Sequence, residues 1–180
     1  MTYFFTSDQH FGHNNILKYS NRPFTSIQDH DEELIKRHNE IVTNNDVVIH
    51  AGDFTLIPSS RTVYKLYVNR LLGQHIFLKG SHDRWLSHNN YLFHKTIEKQ
   101  HVVVCHYAMR TWHRSHYNAF HLYGHSHGKL AGIGKSIDIG VDTNDFYPYS
   151  FDQVAEIMKN KPDNFNFIKK ENRNEACVDN

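Results

Sequence analysis

Five short stretches of this 180-residue chain carry side chains that could do chemistry together. They are Asp8-Gln9-His10, Gly52-Asp53, Gly80-Ser81-His82-Asp83, Cys105-His106 and Tyr123-Gly124-His125-Ser126-His127-Gly128. Each follows an apolar run that reads as a buried strand, so the acids and imidazoles could converge at one edge of a sheet. Asp8 and His10 are two apart and can reach one cation from a strand end. Asp53 adds a carboxylate whose two oxygens can bridge two ions. His125 and His127 repeat the two-residue spacing, and Gly124 and Gly128 permit tight turns around them. Taken singly, each stretch also has a plain structural reading, as a solvated turn or as surface histidines. Together they read as a two-metal hydrolytic site.

The elements that must position these groups follow from periodicity. Tyr3 to Ser7 and the β-branched run Val47 to Ala51 read as strands, as does His75 to Lys79. Ser26-Ile27-Gln28-Asp29 resembles a capping box, and Leu34, Ile35, His38, Ile41 and Val42 share one face of a helix over about 26–43. Pro58-Ser59-Ser60 starts a second helix with Val63, Leu66, Tyr67 and Leu71 on one face and Gly73 as its cap. Strand-helix-strand alternation predicts parallel strands whose carboxyl ends line a crevice. The second half has short strands at 91–97, 101–105, 119–123 and 136–141, for which hairpins fit better than crossovers. A last helix, capped by Ser150, buries Val154, Ile157 and Met158 and stops before Pro162. One domain over 1–162, followed by a polar tail over 163–180 with a mobile end, is the expected organisation.

Composition sets the outer limits. The formal charge is +1, from 20 Lys and Arg against 19 Asp and Glu, which leaves no global footprint for nucleic acid or an acidic membrane. The anomaly is 16 histidines, the commonest metal ligand and the usual proton carrier near neutral pH. Two cysteines, Cys105 and Cys177, make no disulfide framework. The first residues lack a basic leader, and no run approaches ~18 apolar residues, so a cytoplasmic, non-membrane protein is expected.

The five stretches, in this order, resemble the signature of the calcineurin-like metallophosphoesterases: Asp-x-His, Gly-Asp, Gly-Asn-His-Asp, His and Gly-His-x-His. The resemblance runs from Asp8 to His127 by motif and is strongest to small single-domain bacterial and phage members. It implies an α/β fold with α+β elements in the second half, built as a two-sheet β-sandwich flanked by helices. It also implies a dinuclear hydrolase of phosphodiesters or phosphomonoesters, nucleotides among them. One ion would be held by Asp8, His10, Asp53 and His127; the second by Asp53 as bridge, His106 and His125, with position 81 as a further ligand. The ions would be Mn²⁺ first, with Fe, Zn²⁺ or Ni²⁺ as alternatives.

In this scheme a hydroxide shared by the ions attacks phosphorus, and His82 is the general acid, with Asp83 orienting its ring. This chain departs from the family at Ser81, where the motif has Asn. Three readings follow: a weaker second site with water filling the gap, direct ligation by the hydroxyl, or lost activity. Arg110, within Met109 to His116, and His13 are candidates for substrate contact; Arg110 offers a fork for phosphate and Trp112 a stacking face. Arg22 is a weaker candidate; His50 is read as packing in the core or just behind the ligands, and Asp142 as a structural cap, with a place beside the site as its alternative. The alternatives are a scaffold that keeps the fold, and a nuclease, which the near-zero net charge disfavours. Oligomeric state is not legible.

Overall fold

The computed structural model describes residues 1–169. Two four-stranded mixed sheets, flanked by helices, account for the fold, as expected. In chain order the elements are β1 (Tyr3–Thr6), α1 (Ile16–Tyr19), α2 (Ile27–Ile41), β2 (Val47–His50), α3 (Ser60–Leu66) and β3 (Gln74–Phe77). There follow β4 (Leu92–Ile97), β5 (Gln100–Cys105), β6 (Phe120–Tyr123), β7 (Ser136–Asp138), β8 (Tyr149–Ser150) and α4 (Phe151–Lys159). The first sheet has the order β3-β2-β1-β8 and the second β4-β5-β6-β7.

Strand alternation decides what the sheets enclose. From the first sheet Tyr3, Phe5, Val47 and Ile49 face inward, and from the second Val102, Val104, Phe120 and Leu122 meet them in one buried cluster. Phe4 and Val48 face the other way and pack with Val42, just past α2. Val103, on the outer face of the second sheet, lies under Trp112, Ala119 and Met109. Helix ends follow the sequence: Ser26 accepts from the Asp29 amide, and Ser150 and Gln153 form a complete capping box.

Three expectations are corrected. In the second half only β4–β5 is a hairpin; β5, β6 and β7 pair in parallel. The chain between β5 and β6 returns across the sheet through a loop carrying one 3₁₀ turn, a crossover that helix periodicity does not mark. The hairpin turns on Glu98 and Lys99, both at positive φ as a primed two-residue turn requires, without the usual Asn-Gly signal. The second predicted helix is also shorter. It ends at Leu66 and gives way to a 3₁₀ turn at Val68–Arg70. Lastly, the predicted tail is in part packed: Asn164 is buried, donating to the Ser115 and Ala119 carbonyls and accepting from the Lys135 amide. Residues 170–180, with Cys177, lie outside the described residues. Among the described residues no helix is long and apolar enough to cross a membrane.

Buried imidazoles form part of this scaffold. Gln9 Nε2 lies 3.0 Å from His50 Nδ1, His50 Nε2 lies 3.0 Å from His75 Nδ1, and His75 Nε2 reaches the Leu71 carbonyl at 3.3 Å. A chain of donors in that direction needs each ring neutral, since a protonated His50 would point a proton at the amide of Gln9. Burial first, then the neighbouring imidazoles His75 and His38, hold His50 well below the ordinary histidine range. Burial likewise lowers His38 and His121 to about 4.

A histidine whose folded pKa is depressed is protonated by the unfolded chain first. Stability is therefore lost as pH falls from about 6.5 to about 4 and is independent of these groups above that window. For one such residue the loss approaches about 3 kcal/mol at the acid end. Chemical unfolding at pH 7.5 and pH 4.5 tests this. His38→Gln should reduce the pH dependence, and an unchanged dependence would remove His38 from the account.

Candidate metal centre

β1, β2 and β3 are mutually parallel, so the segments after them, at Asp8, Gly52-Asp53 and Gly80 to Asp83, leave the sheet on one side. β5 and β6 are parallel too, which sends His106 and the run Gly124 to Gly128 out at one edge of the second sheet. The two edges are joined by a parallel bridge from Ser7 to Gly140. Asp8, His10, Asp53, His125 and His127 all have left-handed backbone, with φ of 59°, 54°, 54°, 68° and 48°. For an L-residue this costs roughly 1–2 kcal/mol, and such strain clusters where ligands are clamped. Two glycines allow the loops to close. A Cβ on Gly124 would lie 2.0 Å from Ser7 Oγ and 2.4 Å from Asp8 Oδ2, and one on Gly80 would lie 2.3 Å from Asp53 Oδ1.

The convergent side chains form overlapping sets. Asp8, His10 and His127 make one and Asp53, His106 and His125 another; in each set one nitrogen or oxygen per residue lies within 4.8 Å of the others. His10, Asp53 and His82 make a third. Asp53 Oδ2 is the meeting point, 3.4 Å from His106 Nε2, 3.8 Å from His10 Nε2 and 3.9 Å from His82 Nε2. The Nε2 atoms of His10 and His106 are buried and make no hydrogen bond. Unpartnered buried nitrogens are rare because each costs desolvation energy, and two of them facing a carboxylate fit a metal ion. Mixed carboxylate and imidazole donors suit first-row divalent ions.

The outer contacts fix which nitrogen each ring presents. His106 Nδ1 lies 3.0 Å from the Ala51 carbonyl, which leaves Nε2 bare. His127 Nδ1 lies 2.7 Å from Asp142 Oδ2, with the same consequence. Asp142 is gripped by Arg22, whose Nε and Nη2 each donate at 2.7 Å. The same guanidinium donates to the Asp8 and Gln9 carbonyls and meets His30, so one buried Arg ties the first loop to His127. Burial opposes ionisation of Asp142, but His127 and Arg22 hold its carboxyl down at about 2. Burial pushes Asp8 up to about 6, against the pull of His106 and His127. Burial also lowers His10 to about 3, despite Asp53 beside it, so its ring is a neutral donor near pH 7.

Asp8, His10, Asp53, His82, His106, His125 and His127 thus come together. Ser81 joins them through Asp53, its Oγ lying 2.9 and 3.2 Å from the two carboxylate oxygens. His13 is also present, its Nδ1 3.4 Å from that of His10 and its ring 6.2 Å from that of His82. Asp83 differs from its expected role. Its carboxylate accepts from the amides of Asp53, Phe54 and Gly80 and from the Trp85 indole, with no bond to the His82 ring. It locks the third loop to the second, and His82 is positioned instead by its own amide, which donates to Asp53 Oδ1 at 2.9 Å. Arg110 lies elsewhere, stacked over Phe165 at 5.3 Å, and Trp112 is buried with its indole donating to the Ala119 carbonyl. Neither lines the cleft at the site. The anchoring role of Arg22 and Asp142 escaped the sequence because 120 residues separate them.

Fold and site define a mixed α/β protein with two packed sheets and adjoining Asp and His sets that can hold metal ions. No family model matches the chain. It is 28% identical over 166 residues to an uncharacterized protein of Methanocaldococcus jannaschii, covering 85% of this chain and 89% of that one. A solved protein of unknown function from Aquifex aeolicus shares the fold, with a TM-score of 0.69 at 19% identity over 87% of this chain and 98% of that one. A predicted phosphoesterase from Streptococcus pneumoniae superposes with a TM-score of 0.42 at 16% identity, over 77% and 70% of the two chains.

Two outcomes are expected of the anchoring pair. Asp142→Asn should weaken metal binding about 10–100-fold by loosening His127, as read by metal titration. Arg22→Met leaves Asp142 without its cation and should cost about 3–5 kcal/mol in chemical unfolding. A stability within experimental error of the unaltered chain would show that the buried pair holds nothing together.

Proposed function

We propose that this chain is a metal-dependent phosphoesterase acting on a small phosphodiester or phosphomonoester, a nucleotide among the candidates. The observation that carries the reading is the Asp53 carboxylate, with one oxygen facing three imidazole nitrogens at 3.4–3.9 Å and two ligand sets on either side. Divalent ions in the Asp8, His10, His127 and Asp53, His106, His125 sets would lower the pKa of a water and offset charge on phosphoryl oxygens. Asp53 would be the group shared between them.

The remaining work falls to side chains of this chain. A cleft of about 330 Å³ opens over the site and is lined by His10, His13, Asp53, Ser81, His82, His125, His127 and Lys129, among others. That volume lies at the small end of ligand sites, which favours a compact substrate over a polymer. The His82 side chain is 43% exposed, so its ring can reach a leaving oxygen while its amide stays tied to Asp53. It would supply the proton that the departing alkoxide needs. His13 and Lys129 stand where they can meet a non-reacting phosphoryl oxygen. The Ser81 hydroxyl, donating to Asp53, would hold that carboxylate in orientation, a task different from the direct ligation expected of an amide at this position.

The test is hydrolysis of bis-p-nitrophenyl phosphate and p-nitrophenyl phosphate with Mn²⁺ and with chelator. Activity that requires metal and a clear preference between the two esters are expected; no metal-dependent turnover of either would overturn the proposal. His82→Ala should keep its metal and lose about 10²–10⁴-fold in kcat. Ser81→Asn should tighten the metal set around His125, read as a lower metal concentration for half-maximal activity.

A further inference from the structure

We propose that His94, His101 and His113 form a separate site for one zinc-class divalent ion, which fastens the loop after β5 to the β4–β5 hairpin. The three residues lie outside the cleft described above. His101 stands near the start of β5 and His106 just past its end, so the two are roughly 16 Å apart along the strand at ~3.3 Å per residue.

The sheet register builds the first two positions. Thr96 pairs with His101 and His94 with Val103, which makes His94 and His101 diagonal neighbours on one face. That face is the outer one, because Val103 on it packs under Trp112 and Ala119 while Val102 and Val104 face the core. His113 reaches the same spot from the loop. Its neighbour Trp112 is buried and donates to the Ala119 carbonyl at 2.8 Å, which fixes where the loop delivers it. The ring centroids are 5.7 Å apart for His94 and His101, 5.3 Å for His94 and His113, and 5.2 Å for His101 and His113. One nitrogen from each lies within 4.8 Å of the other two.

His101 is the anchor. Its Nδ1 lies 3.1 Å from Thr96 Oγ1, and its Nε2 is buried and makes no hydrogen bond. A ring held through one nitrogen with the other bare is the arrangement that metal-binding histidines share. Burial first, and then His113, Arg114 and His94, lower the basicity of His101, which keeps its lone pair free near neutral pH. Nitrogens around a tetrahedral zinc stand about 3.3 Å apart, as bond lengths of ~2.0–2.1 Å require. His94 and His113 are exposed, so rotation of their side chains can supply the contraction. Three imidazoles and no carboxylate select Zn²⁺, Cu²⁺, Ni²⁺ or Co²⁺ over Mg²⁺, Ca²⁺ or Mn²⁺. The Arg114 charge opposes any cation here, so the binding strength must come from coordination.

The experiment uses Zn²⁺ itself as probe. The full chain and the surface variants His94→Gln and His113→Ala, with folding checked by circular dichroism, are dialysed against a small excess of Zn²⁺ and bound metal is counted. Each variant should hold one equivalent fewer than the unaltered chain. Zinc should slow amide exchange over 107–119 in the unaltered chain and not in the variants. Thr96→Val should weaken this equivalent about 10–100-fold. Equal zinc content in all chains, or exchange over the loop that ignores zinc in every chain, would overturn the proposal.

Discussion

The Asp53 carboxylate is the constraint on which the rest of the site depends. An ionised carboxylate that is 2% exposed must be paired, because desolvation of an isolated charge costs more than a domain's net stability can absorb. Burial would raise its pKa, yet His106, the amide of His82 and the His10 ring together hold it well below the usual carboxylate range. Each partner comes from a different loop. The buried charge therefore ties the ends of β1, β3 and β5 to the end of β2. That charge, together with the Arg22 contacts to the Asp8 and Gln9 carbonyls and the Asp83 contact to the Asp53 amide, helps offset the backbone strain at Asp8, His10 and Asp53.

Two further carboxylates complete the frame, each by a different means. Asp83 is buried and spends its oxygens on backbone amides of the second and third loops. Asp142 receives both arms of Arg22 and passes the constraint to His127 through a 2.7 Å contact. The first uses neutral donors and the second a buried cation, so loss of Asp83 would strand several buried N–H groups, while loss of Arg22 would strand a buried charge. Rigid loops of this kind are what precise placement of ligands demands, since small errors in geometry are costly in rate.

The histidines divide by surroundings more than by sequence context. His38, His50, His75 and His121 are packed as neutral parts of the scaffold. His10, His106, His125 and His127 surround Asp8 and Asp53. His94, His101 and His113 form a third population on the outer face of the second sheet, without any acid. A count of histidines flags metal chemistry but cannot sort these groups.

What the sequence by itself determined were the local features: the strands around Phe5, Ile49 and Val103, the caps at Ser26 and Ser150, and the strand-end residues that gather at Asp53. Apolar runs and side-chain oxygens near a helix start act within a few residues, so their consequences are readable from the chain alone. The tertiary structure alone decided that β5, β6 and β7 run parallel. It also decided that Arg22 grips Asp142, that Asp83 serves backbone amides and not the His82 ring, and that Arg110 and Trp112 lie away from the cleft. Most of those outcomes turn on contacts between residues far apart in the chain, 120 positions in the case of Arg22 and Asp142. Burial then chose among polar partners that look equivalent in sequence: a carboxylate sealed from water takes whichever donors the fold brings to it.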